Sequence, residues 1–327
     1  MTDWLLYTGR RERHDGIERL PDPPPWRTFT GGPARDVPEG GDAGGDDADT
    51  RHQAVTYRPS DDAVQQVNAA LYLRRPLLVT GPPGTGKSTL AYAVAHELGL
   101  GPVLHWPITS RVTLRDGLYQ YDPLTRLYAA GREAADADDI GNYIRLGPLG
   151  TALLPWKRPR VLLIDEIDKS DIDLPNDLLT IFEKGSYLIP ELERRADPGA
   201  EVLTADGRGE RVAVEGGRVR CAAFPMVVMT SNGEREFPPA FLRRCVTVEL
   251  RQPTDEAELS AIVREHLGEL ADGSEELVRH FLARSSSGTL ATDQLLNAVY
   301  LCRRSGVTDR RALADRIMPF LAGSADD

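Results

Sequence analysis

Gly81-Pro82-Pro83-Gly84-Thr85-Gly86-Lys87-Ser88 sets three glycines, a lysine and a hydroxyl within eight residues. This pattern suits phosphate binding. Glycines let main-chain N–H groups close around phosphate oxygens, Lys87 adds a point charge toward the β- and γ-phosphates, and Ser88 can ligate Mg²⁺. Gly81, Pro82, Gly84, Thr85, Gly86, Lys87 and Ser88 are therefore the expected cradle for a nucleoside triphosphate. Further along, Val161-Leu162-Leu163-Ile164 delivers two adjacent carboxylates, Asp165 and Glu166. Asp165 can hold Mg²⁺ through water together with Ser88, and Glu166 can polarise a water for attack on the γ-phosphate. Asp168 and Lys169 read as a solvated loop pair. A second apolar run, 225–229, ends in Thr230-Ser231-Asn232. Asn232 there can share the attacking water with Glu166, although Ser231-Asn232-Gly233 standing alone equally spells a turn. Arg243 and Arg244 precede the apolar run 246–250, either as solvated cations or as fingers reaching the γ-phosphate of an adjoining subunit.

Such groups must be positioned by a scaffold, and the chain supplies one. Five short apolar runs, 77–80, 103–106, 161–164, 227–229 and 246–250, are separated by helical or irregular stretches. This alternation predicts a parallel sheet covered on both faces, whose ligands gather at the carboxyl ends of its strands. Leu90, Val94 and Leu98 recur at helical spacing after the phosphate loop, until Gly99 and Gly101 stop the helix. Before the loop, Ser60 caps a helix with Asp61 and Asp62 in its first turn and Val64, Val67 and Leu71 facing inward; ordered structure is expected to begin there. Beyond Pro253 the strands cease. Thr254, Ser274, Thr292 and Thr308 are the expected openings of four helices carrying Leu259, Val263, Val278 and Phe281 among their apolar residues. The expected organisation is an N-terminal arm and acidic linker (1–51), an α/β P-loop NTPase domain (52–253) and an all-α lid (254–327).

The arm carries Trp4, Tyr7, Trp26 and Phe29 around a proline cluster, aromatic residues able to dock on the core or on a neighbouring subunit, or to lie in a disordered tail. Residues 31–49 hold almost nothing apolar and read as a linker, and the acidic stretches 41–49 and 133–139 as solvated loops. A net charge of −11 argues against general affinity for nucleic acid. No run spans a membrane, the first residues lack a signal peptide's basic and apolar regions, and Cys221, Cys245 and Cys302 have no zinc spacing; a cytoplasmic protein with buried thiols is expected.

In order, GPPGTGKST, VLLIDE, TSN and FLRRC followed by a helical lid resemble the Walker A, Walker B, sensor 1 and arginine-finger segments of AAA+ ATPases. RLGPLGTALL and NDLLTIFEKGSYLIP resemble the MoxR branch; TSNGEREFPPAFLRRC and PPPWR resemble MoxR-like ATPases found beside von Willebrand A-type partners in bacterial conflict or stress systems. The resemblance covers roughly residues 52–300. It implies ATP and Mg²⁺ as ligands, Thr89 as a further nucleotide contact, Asp165 on the metal, Glu166 as base, Asn232 as sensor 1, and Arg243 or Arg244 acting in trans within a nucleotide-promoted hexameric ring. One departure stands out: residues 288–296 lack the cation expected as sensor 2, so either Arg284 substitutes from upstream or the lid couples weakly to the γ-phosphate. Residues 111–122 occupy the place of a pore-facing loop, a substrate grip or ordinary packing. Residues 201–220 read as a β-hairpin that would also point to the pore.

The expected function is thus an ATP-hydrolysing ring that remodels or activates a protein partner. The alternatives are an ATP-dependent signalling switch of a conflict system and, further off, a nucleic-acid translocase. A P-loop kinase fits least, because neither a helical lid nor the sensor and finger order serves that chemistry.

Overall fold

The computed structural model describes residues 4–38, 45–130, 139–194, 199–207, 209–285, 290–305, 307 and 309–319. Its core runs α1 (Gly45–Thr56), α2 (Asp61–Leu73), β1 (Leu77–Thr80), α3 (Lys87–Glu97), β2 (Leu104–Pro107), β3 (Val161–Asp165), α4 (Leu174–Lys184), β4 (Met226–Ser231) and β5 (Val246–Glu249). All five expected strands join one parallel sheet in the order β5-β1-β4-β3-β2. β4 is buried along its whole length, so neither of its faces carries the alternation of a half-exposed strand. Val228 pairs with Leu77, and Val161 with Met226, which brings the ends of β1, β3 and β4 to a common carboxyl edge.

One face of the sheet packs on α2 and α3 through Val64, Val67, Leu71, Leu90, Val94 and Leu98. The other packs on the segment 149–156 and α4, through Leu149, Leu153, Leu178 and Phe182. Ser60 accepts from the Ala63 N–H at 3.2 Å, as its capping role requires. A lid follows: α5 (Glu256–Leu267), α6 (Glu275–Ser285), α7 (Thr292–Arg304) and α8 (Arg310–Ile317), around Leu259, Val263, Val278, Phe281, Leu295 and Val299. Two of the expected helix openings hold: α6 follows Ser274 directly and α7 begins at Thr292. α5 is preceded by Asp255 rather than capped by Thr254, and Asp309 caps α8 by accepting from Ala312 N; Thr308 lies outside the described residues.

Between β3 and β4, strand Gly199–Leu203 pairs antiparallel with Arg211–Glu215, the expected hairpin, and Arg218–Arg220 returns against Ser186–Leu188. In residues 111–122 the packing alternative holds for Leu118 and Tyr119, both buried, with Tyr119 on a strand paired to Ile144–Leu146.

The N-terminal arm docks on its own chain. Leu6, Tyr7 and Ile17 enter the α2–α3 core, and Phe29 stacks on Phe224 with ring centroids 5.1 Å apart. Two buried polar side chains grip it: Asn68 accepts from Leu6 N (2.6 Å) and donates to Tyr7 O (2.7 Å), while Glu97 accepts from Thr8 Oγ1 (2.8 Å). The linker reading is corrected for residues 31–38 and 45–49, and with it the expected start of order at Ser60. Gly31 N donates to Cys221 O (2.9 Å), Arg35 N to Pro155 O (2.7 Å) and Lys157 N to Arg35 O (2.8 Å), and α1 is helical from Gly45. Main-chain hydrogen bonds to the core offset the ordering entropy there, and composition carries no trace of them. Residues 39–44 and most of the acidic stretch 133–139 lie outside the described residues. Among the described residues no helix is long and apolar enough to cross a membrane, and all three cysteines are buried and unbridged.

Candidate active site

At the carboxyl edge of the sheet the expected phosphate, carboxylate and Asn232 segments meet. The loop leaves β1 at Thr80 and feeds α3 at Lys87, with Gly81, Gly84 and Gly86 at φ +144°, +76° and +81°, conformations open to glycine. Lys87 is largely buried, and its ammonium donates to Gly81 O and Pro82 O, both at 2.8 Å. Burial lowers the Lys87 pKa against the pull of Asp168, Asp165 and Glu166. Phosphate oxygens would be stronger acceptors for this ammonium than the two carbonyls that now hold it.

Asp165 ends β3 and gathers three donors. Ser88 Oγ donates to its Oδ1 at 2.7 Å and Thr230 Oγ1 at 2.6 Å, and His105 Nε2 lies 3.4 Å from its Oδ2. Burial pushes the Asp165 carboxyl up, but the hydrogen bonds from His105, Thr230 and Ser88 outweigh it and hold the group at about 2. It is ionised at any physiological pH. A hard cation needs such an oxygen pair, a hydroxyl and an ionised carboxylate side by side, so Ser88 and Asp165 fit Mg²⁺.

Glu166 takes a left-handed backbone, φ 61°, rare for a residue with a Cβ and a form of strain that clusters at functional sites. Thr230 Oγ1 accepts from Glu166 N at 2.8 Å and so ties both acids to β4. The Glu166 carboxylate lies between Lys169 Nζ (2.8 Å) and Asn232 Nδ2 (3.4 Å). A carboxylate and an amide so spaced can share one water. The reading of Asp168 and Lys169 as a solvated pair is corrected. The turn at Glu166 folds the chain back and buries Asp168, whose Oδ2 accepts from Asn232 N (2.9 Å) and Glu234 N (3.1 Å), while Lys169 pairs with Glu166.

Arg243 and Arg244 are not at this edge. Val246, which follows them closely, pairs with Leu77 at the opening of β1, so both arginines sit at the amino edge of the sheet. Both are exposed; Arg244 Nε bonds Glu183 and its Nη1 donates to Ala240 O at 3.0 Å. Arg284 pairs with Asp315 within the lid at 2.9 Å. The lid instead brings Ala291 and Asp293 to the phosphate loop: a Cβ on Gly84 would lie 2.5 Å from Ala291 Cβ and 3.1 Å from Asp293 Oδ1. Residues 286–289, which include the first two of the 288–296 stretch, lie outside the described residues.

Thr230, His105 and Tyr57 escaped the sequence reading. Thr230 stood inside the quoted Thr-Ser-Asn segment, and its hydroxyl was the available signal. His105 is the second residue of β2, and Tyr57 packs its ring against Gly86; nothing local in the sequence marks either.

A family model described as AAA domain (dynein-related subfamily) matches residues 76–245, from the entrance of β1 to the residue before β5. No curated protein matches the chain.

Proposed function

The chain belongs to the AAA domain family, dynein-related subfamily, and is an ATPase; from that premise we propose a MoxR-type ring whose ATP hydrolysis remodels or activates a protein partner, either a client or a von Willebrand A-type protein. Gly81, Pro82, Gly84, Thr85, Gly86, Lys87, Ser88 and Thr89 would hold the triphosphate, and Ser88 with Asp165 would hold Mg²⁺, which would neutralise charge on the phosphates. Glu166 takes the proton of the attacking water as the new P–O bond forms and the bond to the β-phosphate oxygen breaks. Asn232 orients that water. Arg243 and Arg244 act on the site of the next subunit, where a guanidinium offsets charge spreading over the transferred group.

One observation carries the trans assignment: the arginine pair lies at the amino edge of the sheet and the phosphate loop at the carboxyl edge. A subunit therefore cannot serve its own site with both. Mass photometry of the Glu166→Gln protein with ATP and with ADP tests this, with ATP-dependent rings expected. A protein that stays monomeric under every condition contradicts the ring.

A signalling switch is the second reading, favoured by a lid whose described residues meet Gly84 of the phosphate loop through Ala291 and Asp293. If Glu166→Gln is constitutively active with its partner, the switch stands; if it is inert, the motor does.

A further inference from the structure

The amino edge of the sheet holds a small cavity of about 80 Å³ whose wall includes Arg27, Arg75, Phe182, Glu183 and Arg244. Three guanidinium groups share it with one carboxylate, and Arg27 comes from the N-terminal arm, far outside the matched family segment. Its fork is fully engaged. Nε donates to Arg74 O at 3.1 Å, Nη2 bonds the same carbonyl, and Nη1 donates to Phe182 O at 2.9 Å. The plane lies over Phe224, 4.6 Å from its centroid, and near Phe29 at 5.1 Å.

Each carbonyl that Arg27 holds belongs to the residue just before one that grips the arginine pair. Arg74 precedes Arg75, whose Nη1 donates to Arg243 O at 3.0 Å. Phe182 precedes Glu183, which takes the Arg244 Nε. Arg27 thus clamps the entrance of β1 to the end of α4, and the two clamped points hold the main chain of Arg243 and the side chain of Arg244. The arm that delivers it is fastened upstream by Asn68 and Glu97, with His14 Nε2 3.0 Å from Glu97 Oε1.

We infer that Arg27 is a positioning residue for the trans-acting arginine pair: the N-terminal arm sets the geometry with which one subunit completes its neighbour's site. This rests on the trans reading above. A clamp that fixes charge placement matters because a displacement of about 1 Å at a reacting centre costs on the order of 100-fold in rate.

The test uses full-length protein. Arg27→Ala should lower kcat on the order of 100-fold while KM and binding of a fluorescent ATP analogue stay near wild type. Mixing separates a trans role from damage to the subunit's own site. An Arg27→Ala subunit keeps an intact site but presents a poor finger; a Lys87→Ala subunit has a dead site and a sound finger. Mixed rings should regain activity well above either protein alone. Arg75→Ala, on the exposed side of the same clamp, should show the same loss and rescue, and carries the test if Arg27→Ala does not fold. Wild-type kcat in folded Arg27→Ala, or in Arg75→Ala where Arg27→Ala does not fold, or a loss that Lys87→Ala subunits do not rescue, overturns the inference. If the Arg243→Ala/Arg244→Ala double variant also keeps full activity, the trans reading itself falls.

Discussion

Thr230→Val should weaken both the fold and the metal dependence of the site, because one buried hydroxyl serves two acids. Thr230 Oγ1 donates to Asp165 Oδ1 at 2.6 Å and accepts from Glu166 N at 2.8 Å. A hydrogen bond to an ionised group contributes roughly 1.5–3 kcal/mol, and a stranded buried N–H costs roughly 1–3 kcal/mol. Since one hydroxyl makes both bonds, a combined loss of about 3 kcal/mol is expected, a Tm lower by about 4 °C for 327 residues. Asp165 would also lose one of the donors that keep it near 2, so the Mg²⁺ midpoint of ATPase activity should rise about 10-fold or more. Thr230→Ser keeps the hydroxyl and should stay close to wild type in both. The assay pairs thermal unfolding of the apo protein with ATPase rates across a Mg²⁺ titration. A valine variant with unchanged Tm and Mg²⁺ midpoint would refute the claim that Thr230 couples the two carboxylates.

Asp165 gives a pH prediction. Its folded pKa, about 2, lies below the ordinary 3.8, so its contribution of about 2 kcal/mol is complete above pH 4 and lost as pH falls through 2; acid titration of apo stability, with Asp165→Asn as reference, reads it. Gly84→Ala should cost roughly 1–2 kcal/mol from its left-handed backbone alone and push Ala291 away, seen as faster hydrogen exchange at the first turn of α7. Arg160 is fully buried against Asp206, with Nη2 2.5 Å from Oδ1; Arg160→Ala strands that carboxylate and should cost roughly 3–5 kcal/mol in denaturant unfolding.

The parallel sheet was legible because its strands are short apolar runs broken by helical stretches, and the phosphate loop because Gly, Lys and Ser have fixed spacings. The arm was not. Tyr7, Arg27 and residues 31–38 are held by Asn68, Glu97, Phe182 and the carbonyls of Arg74 and Pro155, partners far away in the chain that no local pattern announces. Asp168 was misread for a related reason: an acid after a strand end is usually solvated, and only the left-handed turn at Glu166 buries it. Arg243 and Arg244 were legible as residues, but their place at the opposite edge of the sheet required the register of β5 on β1.

The central claim, hydrolysis by a water held between Glu166 and Asn232 at this phosphate loop, is tested most directly by Glu166→Gln. Nucleotide affinity and turnover should be measured on the same preparation, under conditions where the wild-type protein is active. The account predicts ATP binding near wild type, since the glutamine keeps the shape of the side chain, and turnover reduced at least about 100-fold, since the proton acceptor is gone. Turnover near the wild-type rate would contradict it.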